Sequence, residues 1–581
     1  MQHPRSLRRS VLLALSMLSA CAAADPSGAV GQARPHRSLG FASGGAAGAF
    51  LAGRVAAMEG DQNRAADELL RALAEDPGNA DVRQQAFIAC LLAGRPEANR
   101  LARELPNNQA AEMLLAGNDA KAGNWDAAEQ RFRALPKQGL TQVLEPLLLA
   151  WAQYGAGHPD IALETLHPFV QGERFRAVYA FHAAMIADLS GRAGEAGRLY
   201  SLAQADFGVP NLDLARAVAS WQARSGQVAQ ARQTLASLAQ FGDDMAVAIP
   251  RLQADAAARP VRRATDGLAS AYVALAAALR QQDAQEFAHL LLRLALDLRP
   301  DLTTARLLSS DLLAQGNRLE AALAVLGPVQ PSDPLAPLAD LRRASLLDRT
   351  GNTEEALRLL ARLEAATPDR PEPWAMQGAI LRGKHRYPEA VTAYDHAIGL
   401  IATPTRANWP LFYERGIAEE RSHQWPRAEA DFQRALQLSP EEPFVLNYLG
   451  YSWTEQGHNL TEAERMIERA AAARPNDGAI TDSLGWIALR EGDVTRAVKE
   501  LEKAVELQPE DSTINGHLGD AYWAAGRKLD ALYQWQRALS LNPEPEDVPK
   551  LQTKLHDAQL AEQPQHAETV PSAATAEKGQ P

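Results

Sequence analysis

The chain has 581 residues and a formal net charge of −12 at pH 7. It is far too long for one hydrophobic core, so it must hold several domains or grow by stacking. Its acidity disfavours nucleic acid and anionic lipid surfaces as partners.

At the N-terminus Arg5, Arg8 and Arg9 precede the apolar run Val11-Leu12-Leu13-Ala14-Leu15, and Leu18-Ser19-Ala20-Cys21 follows it. A basic stretch, a short apolar core and small residues before a cleavage point make residues 1–20 an export signal, too short for an ordinary spanning helix. Leu-Ser-Ala-Cys is similar to the lipobox of bacterial lipoproteins. That resemblance implies cleavage before Cys21, diacylglycerol on its thiol and an acyl chain such as palmitate on the new amine. Ala22, where a retention signal would have Asp, implies sorting to the outer membrane, and several acyl chains anchor where one is marginal. An ordinary cleaved signal with an incidental cysteine is the alternative. With Cys21 modified, Cys90 in Phe87-Ile88-Ala89-Cys90-Leu91-Leu92 has no disulfide partner and is expected to be a small buried hydrophobe. Residues 21–43 comprise Cys21 and a flexible tether carrying Pro26, Gly28, Gly31, Pro35 and Gly40.

From residue 44 onward the sequence repeats. Ala463, Ala497 and Ala531 lie 34 residues apart, as do Ala470, Ala504 and Ala538, and Gly450, Gly485 and Gly519 keep step at 35 and 34. Alanines seven apart form one stripe two turns long, where a neighbouring helix approaches closely. The first alanine of the stripe is traceable through Ala65, Ala98, Ala128, Ala162, Ala196, Ala231, Ala288, Ala321, Ala356, Ala390 and Ala428, which makes about fourteen units. Four residues later most units carry a large apolar side chain, among them Phe132, Tyr200, Tyr394, Phe432, Ile467, Leu501 and Trp535, expected to fill the gap between successive hairpins. Prolines such as Pro300, Pro440, Pro475, Pro509 and Pro543 end units, since proline cannot continue a helix.

This pattern is similar to that of tetratricopeptide repeat (TPR) proteins. The resemblance implies an all-α, TPR-type α-solenoid superhelix over residues 44–543; irregular Sel1- or HEAT-type hairpins are the alternative in the first half. The 57-residue interval from Ala231 to Ala288, with Pro250 and Pro260, divides a degenerate N-terminal array (44–242) from a C-terminal array (267–543) by an irregular joint (243–266). Leu551 and Leu555 mark a capping helix over 544–560, and 561–581 reads as a disordered tail.

No nucleophile elbow, His-Glu-x-x-His, phosphate loop or paired Cys-x-x-Cys occurs. The 13 histidines are scattered, and His158, His289, His423 and His517 have no carboxylate or second histidine at ligand spacing. The expectation is a non-enzyme without cofactor or metal. In TPR folds the first helix of each unit lines the concave face. By that analogy the inward positions are Asn447, Tyr451 and Glu455, then Asp482, Trp486 and Arg490, then Asp520 and Trp523. Rings and polar tips together would suit an extended peptide, though Tyr451, Trp486 and Trp523 would equally pack between repeats. These positions are mainly acidic or aromatic, unlike the basic clamp with which eukaryotic TPR co-chaperones hold a terminal carboxylate.

Three strings, Val445-Leu446-Asn447-Tyr448-Leu449-Gly450-Tyr451-Ser452, Asp477-Gly478-Ala479-Ile480-Thr481-Asp482-Ser483-Leu484-Gly485-Trp486 and His517-Leu518-Gly519-Asp520-Ala521-Tyr522-Trp523, resemble a bacterial family of large TPR lipoproteins. One branch of that family serves as outer-membrane adaptors that bind a periplasmic carboxyl-terminal-processing protease and present cell-wall hydrolases to it. The resemblance implies a scaffold for periplasmic proteins, with neither nucleic acid nor a small-molecule substrate. An assembly factor for envelope or exopolysaccharide export machinery is the alternative. The resemblance is sharp over 410–540 and weak before Ala288.

Overall fold

The computed structural model describes residues 45–207, 211–279 and 284–562. The expected signal, Cys21, the tether and the tail from 563 lie outside the described residues. Within them the fold is an all-α TPR-type solenoid: six helical hairpins run from Ala46–Glu59 to Val228–Ala236, and eight more from Ala264–Leu279 to Lys528–Ser540. Two short 3₁₀ segments and the helix Ile249–Ala254 bridge the two sets, and the helix Val548–Glu562 follows the last hairpin. No described helix is long and apolar enough to cross a membrane.

Local chemistry sets the ends of the helices. Asp477, Asp493 and Asp511 each stand before a helix and accept a hydrogen bond from the backbone N–H three residues on, satisfying a donor the helix leaves open. Gly492 ends the helix Gly478–Glu491 at φ 89°, a left-handed conformation that costs glycine nothing.

Each hairpin closes on a small residue. A methyl group added to Gly485 would lie 2.5 Å from Leu501 Cγ, one on Gly416 2.7 Å from Phe432, and one on Gly378 2.8 Å from Tyr394. The spacing assigns these large side chains to the gap between successive hairpins; the structure places them on the small residue of their own hairpin. The physical reason is that the second helix runs back antiparallel, so its large residue falls opposite the glycine of the first. Ala497 and Ala504 on the same stripe are completely buried.

Successive first helices pack closely in the C-terminal half, as Pro443–Gln456, Gly478–Glu491 and Ser512–Ala524 do, while successive second helices meet through the tips of long side chains, as where Arg496 pairs with Glu464 and Glu468. The stack therefore curls with its first helices inside.

The repeat placement predicts that Ala497→Leu overpacks a helix contact and costs about 1–3 kcal/mol, read as earlier urea unfolding of the C-terminal hairpins. A second expectation concerns Glu364, in the helix Thr353–Ala366. Its side chain is 7 % exposed, Oε1 has no hydrogen-bond partner, and burial pushes its carboxyl up to about 7. A carboxyl raised in the folded state lends its full stabilising contribution below the unfolded value of 4.5 and loses it as pH rises through 7. Glu364→Gln should remove a component on the order of 2 kcal/mol from the pH dependence of this hairpin's stability, measured by hydrogen exchange at pH 5 and pH 8.

Candidate functional site

The two inner faces differ. In the N-terminal half, the hairpin of Ala264–Leu279 and Gln285–Leu298 lies along the first helices Ala80–Ala93, Gln109–Lys121, Thr141–Gly155 and Arg176–Leu189. Gly267 meets the Trp151 ring so closely that no side chain would fit between them. The Trp151 Nε1–H donates to His182 Nδ1 at 2.9 Å, and both side chains are wholly buried. Burial pushes the His182 imidazole down to about 3, so it stays neutral and accepts that bond. Lys121 Nζ reaches Asp297 Oδ2 at 2.5 Å, Arg293 packs at Gly94, and Arg318 of the next hairpin packs at Gly60. The chain thus fills its own N-terminal groove.

In the C-terminal half the expected inward residues assemble differently. Trp486 stacks on His517 with centroids 4.0 Å apart and planes at 20°, and its Nε1–H donates to the Glu455 carboxylate. His517 Nδ1 lies 2.9 Å from Asp482 Oδ2, and the Tyr451 ring stands 6.3 Å from the imidazole. Tyr451, Glu455, Asp482 and Trp486 therefore form one cluster around His517. Spacing along one helix makes His517 look solitary. The solenoid corrects this, because a one-repeat offset of 35 residues places Asp482 beside it. Burial works against a charged His517, yet the charge and hydrogen bond of Asp482 outweigh it and raise its pKa above 6.5. Burial raises the Tyr451 phenol as well, with Glu455 and Asp482 adding to it.

Asp520 and Trp523 take a different position. Asp520 accepts from Trp535 Nε1 at 2.9 Å and from Lys554 Nζ at 2.7 Å, while Trp523 packs against Trp535 with centroids 5.6 Å apart. Both belong to the packing of the last hairpin and the helix Val548–Glu562. That helix's leading segment also crosses the inner side, where Glu546 pairs with Arg421 at 3.2 Å. Asn447 is half-buried with Oδ1 unpaired, and Arg490 is exposed, with no hydrogen bond or ion pair among the described residues. Of the eight expected groove residues, Arg490 and the exposed Glu455 are the best placed to meet a partner without disturbing the fold.

Residues 306–371, 341–407, 413–478 and 483–544 each match the Tetratricopeptide repeat family. The chain is 28% identical over 172 residues to the TPR repeat-containing protein PA4667 of Pseudomonas aeruginosa, a match covering 29% of this chain and 28% of that protein. It is 32% identical over 106 residues to human Tetratricopeptide repeat protein 13, covering 18% of this chain and 12% of that one. It thus spans less than a third of either relative. Among solved structures, a tetratricopeptide repeat protein from Parabacteroides merdae is similar at 18% identity and a TM-score of 0.37, over 44% of this chain and 97% of that one. The APC/C hetero-tetramer Cut9-Hcn1 is similar at 15% identity and a TM-score of 0.37, over 88% and 96%. Superpositions this loose say nothing of function. Repeat spacing, hairpin packing and the matched residues define a TPR-type α-solenoid, a generic scaffold of the kind that serves as a protein-binding module.

The cluster around His517 predicts a pH effect. A histidine raised in the folded state stabilises fully below its unfolded value and loses that contribution as pH rises through the folded value. Asp482→Asn removes the two largest raising influences and leaves burial opposed only by Asp520 and Glu455, so His517 should titrate lower than in the parent by NMR, and the stabilisation present at acid pH should shrink.

Proposed function

We propose that this scaffold is a tethered adaptor, lipidated at Cys21, held at the outer membrane and facing the periplasm. On this reading it binds a carboxyl-terminal-processing protease and brings cell-wall hydrolases to it. One observation carries the reading: the strings that resemble the adaptor lipoproteins, residues 445–523, also build the cluster of Tyr451, Trp486, His517, Asp482 and Glu455, with Arg490 free beside it. The N-terminal inner face, filled by the chain's own hairpin, leaves a partner to the C-terminal array or to outer surfaces. Two proteins held on one tethered scaffold meet at a raised effective concentration without new contacts between them.

Metabolic labelling with palmitate checks the tether: Cys21→Ser should lose both the label and the outer-membrane fraction. For the partners, the immobilised chain should retain a processing protease or a cell-wall hydrolase from a periplasmic extract. Arg490→Ala should reduce that capture while shifting unfolding by no more than about 0.5 kcal/mol, as for an exposed residue. Retention of export or polysaccharide components alone would replace the adaptor with an assembly factor.

A further inference from the structure

Four arginines converge where the two arrays meet. Arg216 belongs to the helix Leu212–Arg224, Arg259 and Arg262 to the loop after Ile249–Ala254, and Arg299 directly follows Gln285–Leu298. Together with Asp255 and Asp333 they line one cavity of about 160 Å³. Four cations thus share the lining of one crevice with two carboxylates, and Asp188, Asp213 and Asp301 stand just outside it.

The partners of these groups are unevenly shared. Asp333 is engaged by Thr303 Oγ1 and by the Leu335 N–H, both at 2.7 Å. Arg299 donates to the Pro260 carbonyl at 2.6 Å and pairs with Asp301 at 3.4 Å, so it fastens the joint. Arg259 reaches the Asp188 carboxylate at 3.5 Å, and its Nε is buried without a partner. The Arg262 N–H donates to Asp266 at 3.0 Å, while its guanidinium makes one long bond, 3.4 Å to the Arg259 carbonyl. Among the described residues Arg216 has no hydrogen bond or ion pair. Near it lies Asp213, whose carboxyl burial pushes up against the pull of Arg216 and Arg299.

Guanidinium groups crowded into a crevice repel one another and lose hydration, a cost removed when an anion joins them. Their planar forks match the paired oxygens of carboxylate and phosphate. We propose that this cavity binds a small oxyanion ligand, bearing phosphate or carboxylate, through Arg216 and Arg262, with Arg259 and Arg299 holding its walls. The space takes several water molecules and hence one such group, not a polymer. Because the lining comes from the last N-terminal hairpin, the joint, the inserted hairpin and the loop before Ala336, a bound anion ties all four together.

The test is calorimetric titration of the purified full chain with inorganic phosphate and, separately, with citrate, each against chloride at matched ionic strength. Saturable binding at one site is expected for at least one of them, and which one binds distinguishes phosphate from carboxylate. Arg216→Gln/Arg262→Gln should weaken it at least tenfold with thermal unfolding in chloride unchanged, since neither side chain holds the fold; Arg262→Gln alone, at an exposed position, should weaken it less. Arg490→Gln, on another face, should bind as the parent does. Absence of saturable binding, equal affinity in the double variant, or equal weakening by Arg490→Gln would each overturn the proposal.

Discussion

The two helices of a hairpin close on one another only where one of them carries a small residue, and the rest of this solenoid depends on that constraint. Gly53 receives Leu69, Gly378 receives Tyr394, Gly416 receives Phe432, Gly485 receives Leu501 and Gly519 receives Trp535. Each pair fixes the register of a hairpin, and the register fixes which face of the first helix points inward. The orientation of Trp486 and Asp482 toward His517 is therefore inherited from the Gly485 contact on the other side of the same helix.

The same unit is put to two uses. From Thr303 to Ser540 the hairpins stack on their neighbours, and the inner face carries side chains that pair across one repeat, such as His517 with Asp482. From Ala46 to Ala236 the inner face instead surrounds the hairpin 264–298, with Trp151 buried at Gly267. One half resembles a spring with an accessible interior, and the other a shell around its own chain. This difference leads partner binding to the C-terminal half and gives the joint, where the arginines gather, its place between the two.

What was legible in the sequence follows from chain separation. A glycine and the large residue that covers it lie in adjoining helices of one hairpin and recur with the unit, so spacing reveals both positions, although it places the large one between hairpins and not on its own glycine. Lys121 with Asp297 and Arg421 with Glu546 are 176 and 125 residues apart, and no periodic signal records such contacts. The inserted hairpin has ordinary repeat spacing about Ala288, and nothing in its residues announces that it turns inward. For the candidate site, the positions of Tyr451, Trp486 and Asp482 could be counted, but their pairing could not. Asp520 illustrates the limit: its place on the first helix is that of a groove residue, whereas Lys554, beyond the last repeat, takes its carboxylate.

The hairpin that fills the N-terminal face also sets an order of folding. Repeats that contact only their neighbours can form as the chain appears, each one templating the next. The six N-terminal hairpins lack that freedom, because Trp151, Leu148 and Phe181 share a core with Leu268, Tyr272 and Leu291. Until those later residues arrive, an apolar concavity stands open, and its closure must wait for a contact of long sequence separation, a slow kind of step. The first half of the chain should then ripen only after the start of the second half exists, so a truncation before residue 264 would leave a sticky intermediate in place of a shorter but sound solenoid.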